Sequence, residues 1–246
     1  MIDLAVEAAR KAGEVHKKHF NRLESIESKG KFELVTKADT ESEKVIVDAL
    51  KDSGYNVLGE EFGFTDNKSD YCWVIDPLDG TTNFAHNIPW FCVSIGLLRG
   101  NEPVGAVIFD SIHNELLTAE KGKGASMNDR KLEIRSSSPE SAVVGTDWGY
   151  EKRSELMPYV EKVIEKVKYL RIMGSAAKGL ADVAMNRSQS YFHRAIKPWD
   201  MAAGCLIIRE AGGVVTALDG SEWDMKCGTI LAAGKQLHKQ MLEVFS

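Results

Sequence analysis

The sequence predicts a mixed α and β fold in which helices are layered on sheets. Apolar residues near the amino terminus recur at three- and four-residue spacing, which is typical of an amphipathic helix. Short apolar runs between residues 55 and 124 are separated by turns rich in Gly and Asn, which is typical of an antiparallel meander. Beyond residue 139, apolar strands alternate with amphipathic helices. These three patterns together indicate the class.

The first helix presents one apolar face, on which His16 is predicted to pack in the core rather than to bind a ligand. The polar stretch 24–33 follows and is predicted to be a mobile surface loop. A second helix is expected to begin near Thr40, where Thr40 and Glu43 fit a capping box, and to continue to Gly54.

The Ser-Ser-Ser-Pro segment at 136–139 marks a loop within a single predicted domain spanning 1–246. We expect it to separate two sub-lobes, about 1–135 with the helix pair and the meander, and about 136–246 with an α/β arrangement. The predicted strands of the first sub-lobe are 55–59, 71–76, 91–98, 103–110 and 114–120. In the second, strands are predicted at 142–148, 169–173, 214–218 and 228–234, with helices over 156–167, from Gly174, and about 199–211.

Composition excludes several function classes. The 246 residues are 43% hydrophobic and 27% charged, as in an ordinary soluble globular protein. The formal net charge of −5 provides no general positive field for nucleic acid or an anionic membrane. No apolar run approaches the roughly 18 residues of a membrane span, and no signal peptide is recognised. We therefore predict a cytoplasmic protein without nucleic-acid or membrane partners, whose four scattered cysteines are reduced.

The most informative segment is WVIDPLDGTTNF, residues 73–84. Asp76 and Asp79 lie at the end of an apolar run, and Pro77 between them disfavours a helix, so the pair is predicted to lie on a turn. The following residues 80–82 offer backbone N–H groups at a predicted helix start. Carboxylates suit a hard cation, and N–H groups suit an anion. Their combination predicts a metal-assisted phosphate site.

Other acids stand at comparable positions. Glu60 and Glu61 follow a predicted strand, and Asp39 and Asp200 begin predicted helices. Asp39 and Asp200 could instead be plain N-caps that stabilise their helices by about 1 kcal/mol. Glu60 and Glu61 could be a solvated pair, and Asp79-Gly80 is a common turn dipeptide. If the acids converge, two magnesium ions could hold the attacking and leaving oxygens of a phosphoryl displacement.

Three segments resemble the inositol monophosphatase family, part of the lithium-sensitive, magnesium-dependent phosphatase superfamily. They are Gly59-Glu60-Glu61, the run from Asp76 to Phe84, and the run from Trp199 to Gly204, which match in order and spacing. The resemblance covers nearly the whole chain. It implies an α+β fold, the layered α-β-α-β-α sandwich of the inositol monophosphatase and fructose-1,6-bisphosphatase type, usually as a homodimer.

The resemblance also implies roles for individual residues. Asp76 would bridge two of two or three Mg²⁺ ions, while Glu60 and the Thr81–Asp39 pair would orient and deprotonate a metal-activated water. The implied metal ligands are Glu60, Asp76, the Leu78 carbonyl, Asp79 and Asp200. The implied substrate-binding residues are Asp79, Gly80, Thr81, Ser175, Ala176, His193 and Asp200.

Two positions leave alternatives open. Lys29 or Lys31, in the loop before the segment Thr36–Asp39, would help to order a third metal, and a solvated loop lysine is the alternative. His193 stands six residues before Trp199, where family members that favour inositol phosphates usually carry a glutamate that binds sugar hydroxyls. A positive or neutral side chain there would favour a substrate with extra negative charge. A surface substitution at a tolerant position is the alternative.

The implied function is a magnesium-dependent phosphomonoesterase acting on a small polyol or sugar phosphate. Inositol-1-phosphate is expected first, fructose-1,6-bisphosphate second, with dual use of the two, and 3′-phosphoadenosine 5′-phosphate third. A regulatory, partner-binding member of the family is the non-enzymatic alternative, although every implied metal ligand is present. An NAD-linked enzyme is not indicated, because no GxGxxG turn follows a strand.

Overall fold

The computed structural model of this protein describes residues 1–22, 26–31, 33–149 and 153–245. The helices in these ranges are α1 (Ile2–His19), α2 (Lys37–Leu50), α3 (Thr81–Ala85), α4 (Arg153–Ile164), α5 (Ala176–Ala184), α6 (Pro198–Glu210) and α7 (Lys235–Phe245). The strands are β1 (Ile26–Ser28), β2 (Leu34–Thr36), β3 (Asn56–Gly59), β4 (Gly63–Thr65), β5 (Tyr71–Asp79), β6 (Cys92–Arg99), β7 (Glu102–Asp110), β8 (Glu115–Glu120), β9 (Gly124–Met127), β10 (Arg130–Lys131), β11 (Val143–Thr146), β12 (Tyr169–Ile172), β13 (Ser190–Arg194), β14 (Val214–Thr216) and β15 (Thr229–Ala233).

The described elements form five layers. Helices α1 and α2 pack on one face of a large sheet, and α5 and α6 pack on its other face. A smaller sheet lies beyond α5 and α6, and α4 and α7 cover its outer face. The two faces of each sheet are therefore buried by helices, as the apolar strand sequences require. This α-β-α-β-α order confirms the predicted α+β sandwich.

The large sheet has the strand order β10-β9-β8-β7-β6-β5-β3-β4 within the described residues. From β5 to β10 neighbouring strands are antiparallel, so the predicted meander is confirmed there. It is wrong at the start, because β3 runs parallel to β5. The short strand β4, which was not predicted, pairs antiparallel with β3 and returns the chain. Gly59 pairs with Ile75, so Glu60 and Asp76 leave adjacent strand ends.

The smaller sheet has the order β12-β11-β13-β15-β14 within the described residues. Strand β11 is parallel to both β12 and β13, and the remaining pairs are antiparallel. Strand β13 and helix α7 were not predicted. The helix was missed although Leu237, Met241 and Phe245 recur at four-residue spacing on its buried face. Apolar residues of α4 and α7 cover β13 and β15 and close the outer core.

Helix α2 begins earlier than predicted. Its N-cap is Thr36, and Asp39 at the third helical position completes the capping box. The predicted box of Thr40 and Glu43 is wrong, because the Thr40 hydroxyl donates to the carbonyl of Lys37 and Glu43 is buried. A Thr-x-x-Asp box satisfies the same free N–H groups as a Thr-x-x-Glu box, and both patterns occur here four residues apart.

The stretch 24–33, predicted to be a mobile surface loop, contains part of a short hairpin. Strand β1 pairs antiparallel with β2, with Glu27 opposite Val35. Residues 24, 25 and 32 of this stretch lie outside the described residues. The hairpin was not predicted because its strands have three residues each and β1 is fully exposed.

The four cysteines are free thiols, as predicted. Burial was expected for all four and is found for Cys92 and Cys205, whereas Cys72 and Cys227 are half-buried. No described helix is both long enough and apolar enough to cross a membrane. The cytoplasmic location, the homodimer and the division into two sub-lobes within one domain stay predictions.

Candidate active site

Three of the predicted carboxylates meet at one point. Asp76 and Asp79 lie at the end of β5 and Asp200 in the first turn of α6, and one oxygen of each lies within 4.8 Å of the others. Burial raises the pKa of the Asp76 carboxyl well above its usual range, and the charges of Glu60, Asp79 and Asp200 raise it further. Buried like charges at this separation call for a cation, and an all-oxygen donor set suits a hard divalent ion such as Mg²⁺. The residues therefore fit the metal that the resemblance implies.

An irregularity in the sheet aims two of these acids at the same place. The pairing of β5 with β6 shifts register between Asp76 and Asp79. Pro77 lies inside this irregularity and has no N–H to offer to a neighbouring strand. The N–H of Leu78 instead donates to Asp76 Oδ1 at 2.9 Å. Bulges of this kind redirect side chains at sheet ends.

Helix α6 brings Asp200 to the cluster by packing directly on β6. A Cβ atom added to Gly96 would lie 2.9 Å from Ala202 Cβ, so glycine allows this close approach. Asp200 Oδ2 accepts the N–H of Lys197 at 3.1 Å, as in a capping box. The carboxylate therefore caps its helix and also faces the other acids, so the N-cap interpretation is only part of its role. Burial, followed by the charge of Asp79, raises the pKa of Asp200 to about 7.

Asp79 is held by the amino terminus of α5. Its Oδ2 accepts the Ser175 hydroxyl at 2.6 Å and the Ala177 N–H at 2.6 Å, and its Oδ1 accepts the Ala176 N–H at 3.2 Å. The positive end of the helix favours the carboxylate there. Ser175 and Ala176, predicted to contact substrate, thus position a predicted metal ligand, and both also line the neighbouring cavity.

Glu60 lines the same cavity but is not one of the three acids grouped within 4.8 Å. Its N–H donates to the carbonyl of Ile75 at 3.2 Å, which fixes it beside Asp76. Burial raises the pKa of Glu60 to about 9, and the charge of Asp200 is the next cause. Glu61 instead forms an ion pair with Lys29. The interpretation of the two glutamates as a solvated pair is therefore wrong.

Glu43 is a site residue that the sequence reasoning missed. Its buried carboxylate accepts the N–H groups of Glu61 and of the next residue at 2.8 and 2.9 Å. A Cβ atom on Gly59 would lie 1.9 Å from Glu43 Oε1, so a larger residue there would displace the Glu43 carboxylate. Glu43 therefore clamps the turn that carries Glu60. Its position one helical turn after Asp39, on the same face of α2, was the available signal.

The predicted contact between Thr81 and Asp39 is present. Thr81 Oγ1 lies 2.8 Å from Asp39 Oδ1 and 3.1 Å from the Leu78 carbonyl oxygen. Asp39 Oδ2 accepts both the N–H and the hydroxyl of Thr36, at 2.8 and 2.7 Å. Burial raises the pKa of Asp39 to about 6 although these hydrogen bonds oppose the rise. Like Asp200, Asp39 caps its helix with one oxygen and faces the site with the other.

Gly80 begins the five-residue helix α3 in a conformation that favours glycine. Its φ is 103°, and a Cβ atom there would lie 2.9 Å from the Trp90 carbonyl oxygen. Gly80 and Thr81 both line the cavity beside the acidic cluster. The tight turn therefore exposes backbone at the place where the resemblance puts phosphate.

The cavity beside the acids has a volume of about 260 Å³ and carries cationic as well as acidic side chains. His193 lines it and is only 3% exposed, so the interpretation as a surface substitution is wrong. Burial lowers the pKa of His193 to about 4, which makes the ring neutral at pH 7. Arg194 forms an ion pair with Glu155. The side chains of Arg153 and Lys197 also line the cavity, and both residues are basic.

Asp147 is a second positioning residue that was missed. Its Oδ1 accepts the N–H groups of Met173, at 3.0 Å, and of Gly174, and its Oδ2 accepts the Tyr191 hydroxyl at 2.8 Å. These bonds hold the segment directly before Ser175, which in turn binds Asp79. The only sequence signal was an acid at the end of a predicted strand.

Lys29 lies near the turn that carries Glu60, because it forms an ion pair with Glu61. Which of Lys29 and Lys31 orders a third metal stays a prediction.

The acidic cluster predicts that the metal-free protein loses stability as the pH rises. Unfolded carboxyls titrate near about pH 4, whereas the folded pKa values of Asp200 and Glu60 are about 7 and about 9. Between these limits the folded acids hold more protons than the unfolded ones, so their contribution makes the free energy of unfolding fall with rising pH. Buried His16 and His193 have the opposite effect below about pH 6.5, so the fall is clearest above that pH. Denaturant unfolding in chelator at several pH values from 5 to 9 measures the slope.

Saturating Mg²⁺ is expected to cancel this loss of stability at high pH. The acids are deprotonated there, and the bound cation would neutralise their charge. A ligand at one hundred times its Kd stabilises the folded state by about 2.7 kcal/mol. Near pH 5 the same Mg²⁺ concentration should stabilise less, since protons compete for the oxygens. Stability that rises from pH 5 to 9 in chelator, with no response to Mg²⁺ at pH 9, would contradict a cation site.

Comparison with known proteins agrees with this geometry. The family model described as the inositol monophosphatase family matches residues 1–246. The Nus factor SuhB of Haemophilus influenzae is 40% identical, over 98% of this chain and 94% of that protein. The inositol-1-monophosphatase of Synechocystis is 37% identical, over 100% of this chain and 88% of that protein. The crystal structure of suhB from Bartonella henselae has a TM-score of 0.95 at 33% identity, covering 99% of this chain and 97% of that one. The chain belongs to the inositol monophosphatase family.

Proposed function

We propose that this protein is a magnesium-dependent phosphomonoesterase that hydrolyses a small polyol or sugar phosphate, with inositol-1-phosphate as the first candidate. The observation that carries the proposal is the convergence of Asp76, Asp79 and Asp200 within 4.8 Å beside the turn at Gly80 and Thr81. Acids for a hard cation and N–H groups for an anion lie in one cavity. That combination is the one a metal-assisted phosphate hydrolysis needs.

The chain's own groups would divide the work as follows. Mg²⁺, held by Asp76, Asp79, Asp200, Glu60 and the Leu78 carbonyl, would supply charge neutralisation and a more acidic water. The Thr81 hydroxyl donates to Asp39, which leaves the Thr81 oxygen able to accept a proton from the water. With a pKa of about 6, Asp39 is mostly ionised at pH 7. It can therefore accept the Thr81 hydroxyl proton when Thr81 takes a proton from the water.

Substrate binding would use the rest of the cavity. The N–H groups at Gly80 and Thr81 would donate to phosphate oxygens, as N–H groups at helix starts do. Neutral His193 replaces the glutamate that would bind sugar hydroxyls, and its ring can still donate to or accept from a hydroxyl. Ser175 and Ala176 would act mainly by holding Asp79.

Fructose-1,6-bisphosphate is the second candidate, alone or as a second substrate of the same site. Arg153 and Lys197 line the cavity, and they could attract a second phosphate. The neutral ring of His193 adds no charge to this preference. 3′-Phosphoadenosine 5′-phosphate remains the third candidate on the same argument.

A partner-binding role beside catalysis is a separate candidate, because a relative that is 40% identical is named a Nus factor. The absence of nucleic-acid binding by this chain stays a prediction, and retention on a DNA column at low and high salt tests it. We expect no retention, because the net charge is −5.

Phosphate release from the three esters, measured side by side with Mg²⁺ and with chelator, tests the proposal. We expect chelator-sensitive release that is fastest with inositol-1-phosphate. His193→Glu should raise the rate ratio of inositol-1-phosphate to fructose-1,6-bisphosphate, since it restores a hydroxyl-binding carboxylate. If none of the three esters is hydrolysed while calorimetry shows that Mg²⁺ is bound, the proposed substrates are wrong and the partner-binding role gains weight.

A further inference from the structure

Helix α1 is joined to the acidic turn by one buried histidine. His16 Nε2 lies 2.9 Å from the carbonyl oxygen of Pro77, across 61 residues of sequence. The His16 side chain is fully buried. Pro77 stands between Asp76 and Asp79, so the bond ends on the backbone of the metal-binding turn.

The ring of His16 is held in place by aromatic neighbours. Its centroid lies 5.9 Å from that of Phe84 and 5.6 Å from that of Phe91, both in edge-on contact. Phe20, the residue that follows the end of α1, contacts the same two rings at centroid distances of 5.5 and 5.1 Å. Phe84 belongs to α3, which follows the turn directly. The imidazole is therefore a rigid support on the side of the turn that faces away from the cavity.

The hydrogen bond from His16 gives the Pro77 carbonyl a partner where the pairing of β5 with β6 is interrupted. The register shift between Asp76 and Asp79 interrupts the ladder to β6, and Pro77 has no paired residue on that strand. The His16 ring provides a hydrogen-bond partner for its carbonyl. The next carbonyl, that of Leu78, has a different neighbour, because its oxygen lies 3.1 Å from Thr81 Oγ1. His16 and Thr81 therefore hold two successive carbonyls of the turn.

The protonation state of the ring agrees with a donor role. Burial lowers the pKa of His16 to about 4, so the ring is neutral at pH 7 and carries a single N–H. A carbonyl oxygen can only accept, so that N–H belongs to Nε2. Nδ1 has no hydrogen-bond partner among the described residues, as expected for a lone pair turned toward aromatic rings.

We propose that His16 is a positioning residue, whose Nε2–H holds the Pro77 carbonyl and so keeps Asp76, Leu78 and Asp79 in the arrangement that binds Mg²⁺. The inference rests on the proposed function for the identity of the cation, but its effect is on metal affinity and can be measured without turnover. Partners of metal-binding groups typically change metal affinity about 10- to 100-fold when they are removed.

Binding of Mn²⁺, as a spectroscopic substitute for Mg²⁺, tests the inference by electron paramagnetic resonance on the full chain. His16→Leu keeps most of the ring's volume but removes the donor, and we expect its Mn²⁺ Kd to rise about tenfold or more. His16→Gln can place an amide N–H where Nε2 lies and should restore most of the affinity. In the phosphatase assay, His16→Leu should raise the Mg²⁺ concentration for half-maximal rate more than it raises the KM for substrate.

His238→Leu is the matched control. His238 is also buried and its Nε2 lies 2.9 Å from Thr216 Oγ1, but it belongs to α7 and is absent from the cavity lining. We expect His238→Leu to lose thermal stability while keeping the wild-type Mn²⁺ Kd. A purely structural role for His16 would make the two leucine variants alike in metal affinity.

The outcomes distinguish the positioning role of His16 from the proposed phosphatase function. A folded His16→Leu with wild-type Mn²⁺ affinity overturns the positioning role. If His16→Leu does not fold, the pair His16→Gln and His16→Asn decides, because the shorter Asn amide should fail to reach Pro77 and equal affinities would overturn the inference. If the wild type binds Mn²⁺ tightly but hydrolyses none of the three esters, the proposed function fails while the positioning role is still measured.

Discussion

Asp76→Asn is expected to reduce phosphate release to the level of the chelator-treated protein. Asp76 Oδ1 also accepts the Leu78 N–H, so the substitution removes charge from the centre of the cluster while a side-chain carbonyl can still accept that bond. Removing one oxyanion donor from an enzyme costs about 10²- to 10³-fold in kcat. Loss of a carboxylate at the centre of the metal site should cost at least that much. Rates at saturating Mg²⁺ with inositol-1-phosphate measure the effect.

The same variant should be more stable than the wild type when both are metal-free at pH 8. Without metal, folding must either bury the charge of Asp76 among other carboxylates or take up a proton to neutralise it, and asparagine removes both costs. Asp70→Asn, an exposed change at the residue before the same strand, should leave both the rate and the melting temperature unchanged. Near-normal turnover in Asp76→Asn would remove this residue from the mechanism.

Thr81→Ala is expected to lower kcat by about 10²- to 10⁴-fold, the usual contribution of a positioned proton acceptor. The Thr81 hydroxyl connects Asp39 to the turn at Gly80, because it donates to Asp39 Oδ1 at 2.8 Å. Without it Asp39 cannot act on a water held near Gly80. Mg²⁺ binding, measured by calorimetry, should change much less than kcat, because the Thr81 side chain is not a proposed metal ligand.

Two variants control this experiment. Thr81→Ser keeps the hydroxyl and should keep most of the rate. Thr40→Ala removes an exposed hydroxyl that donates to the carbonyl of Lys37, and it should have no effect on activity. Equal rates for Thr81→Ala and Thr81→Ser would show that the Thr81–Asp39 pair takes no part in proton transfer.

Much of the site could be predicted because its strongest signals are local. The run from Asp76 to Thr82 combines acids, a proline and a glycine within one turn, and each residue type restricts the backbone there. The contact between Thr81 and Asp39, and the grouping of Asp76, Asp79 and Asp200, are present in the structure. Their roles in catalysis remain proposals.

The supporting residues could not be predicted in the same way. Glu43, Asp147 and His16 act through hydrogen bonds to backbone groups that are 18, 26 and 61 residues away in sequence. Every residue type carries the same backbone N–H and carbonyl groups, apart from the missing N–H of proline. The sequence therefore does not indicate which distant backbone group a given side chain will bind. The capping box at Thr40 was wrong for a related reason, because two boxes fit the same stretch and the burial of Glu43 decided between them.

Local sequence patterns were sufficient to predict the layered α and β class, the long helices and the acidic turn, since periodicity and turn chemistry act over a few neighbouring residues. Tertiary structure alone decided that β3 runs parallel to β5, because the three-residue strand β4 is too short to show periodicity. It also decided that His193 is buried and neutral, since exposure depends on what packs against a strand. Asp76 and Asp79 at the end of β5 come close to Asp200 only when α6 packs on the large sheet. That packing joins elements that are far apart in the chain.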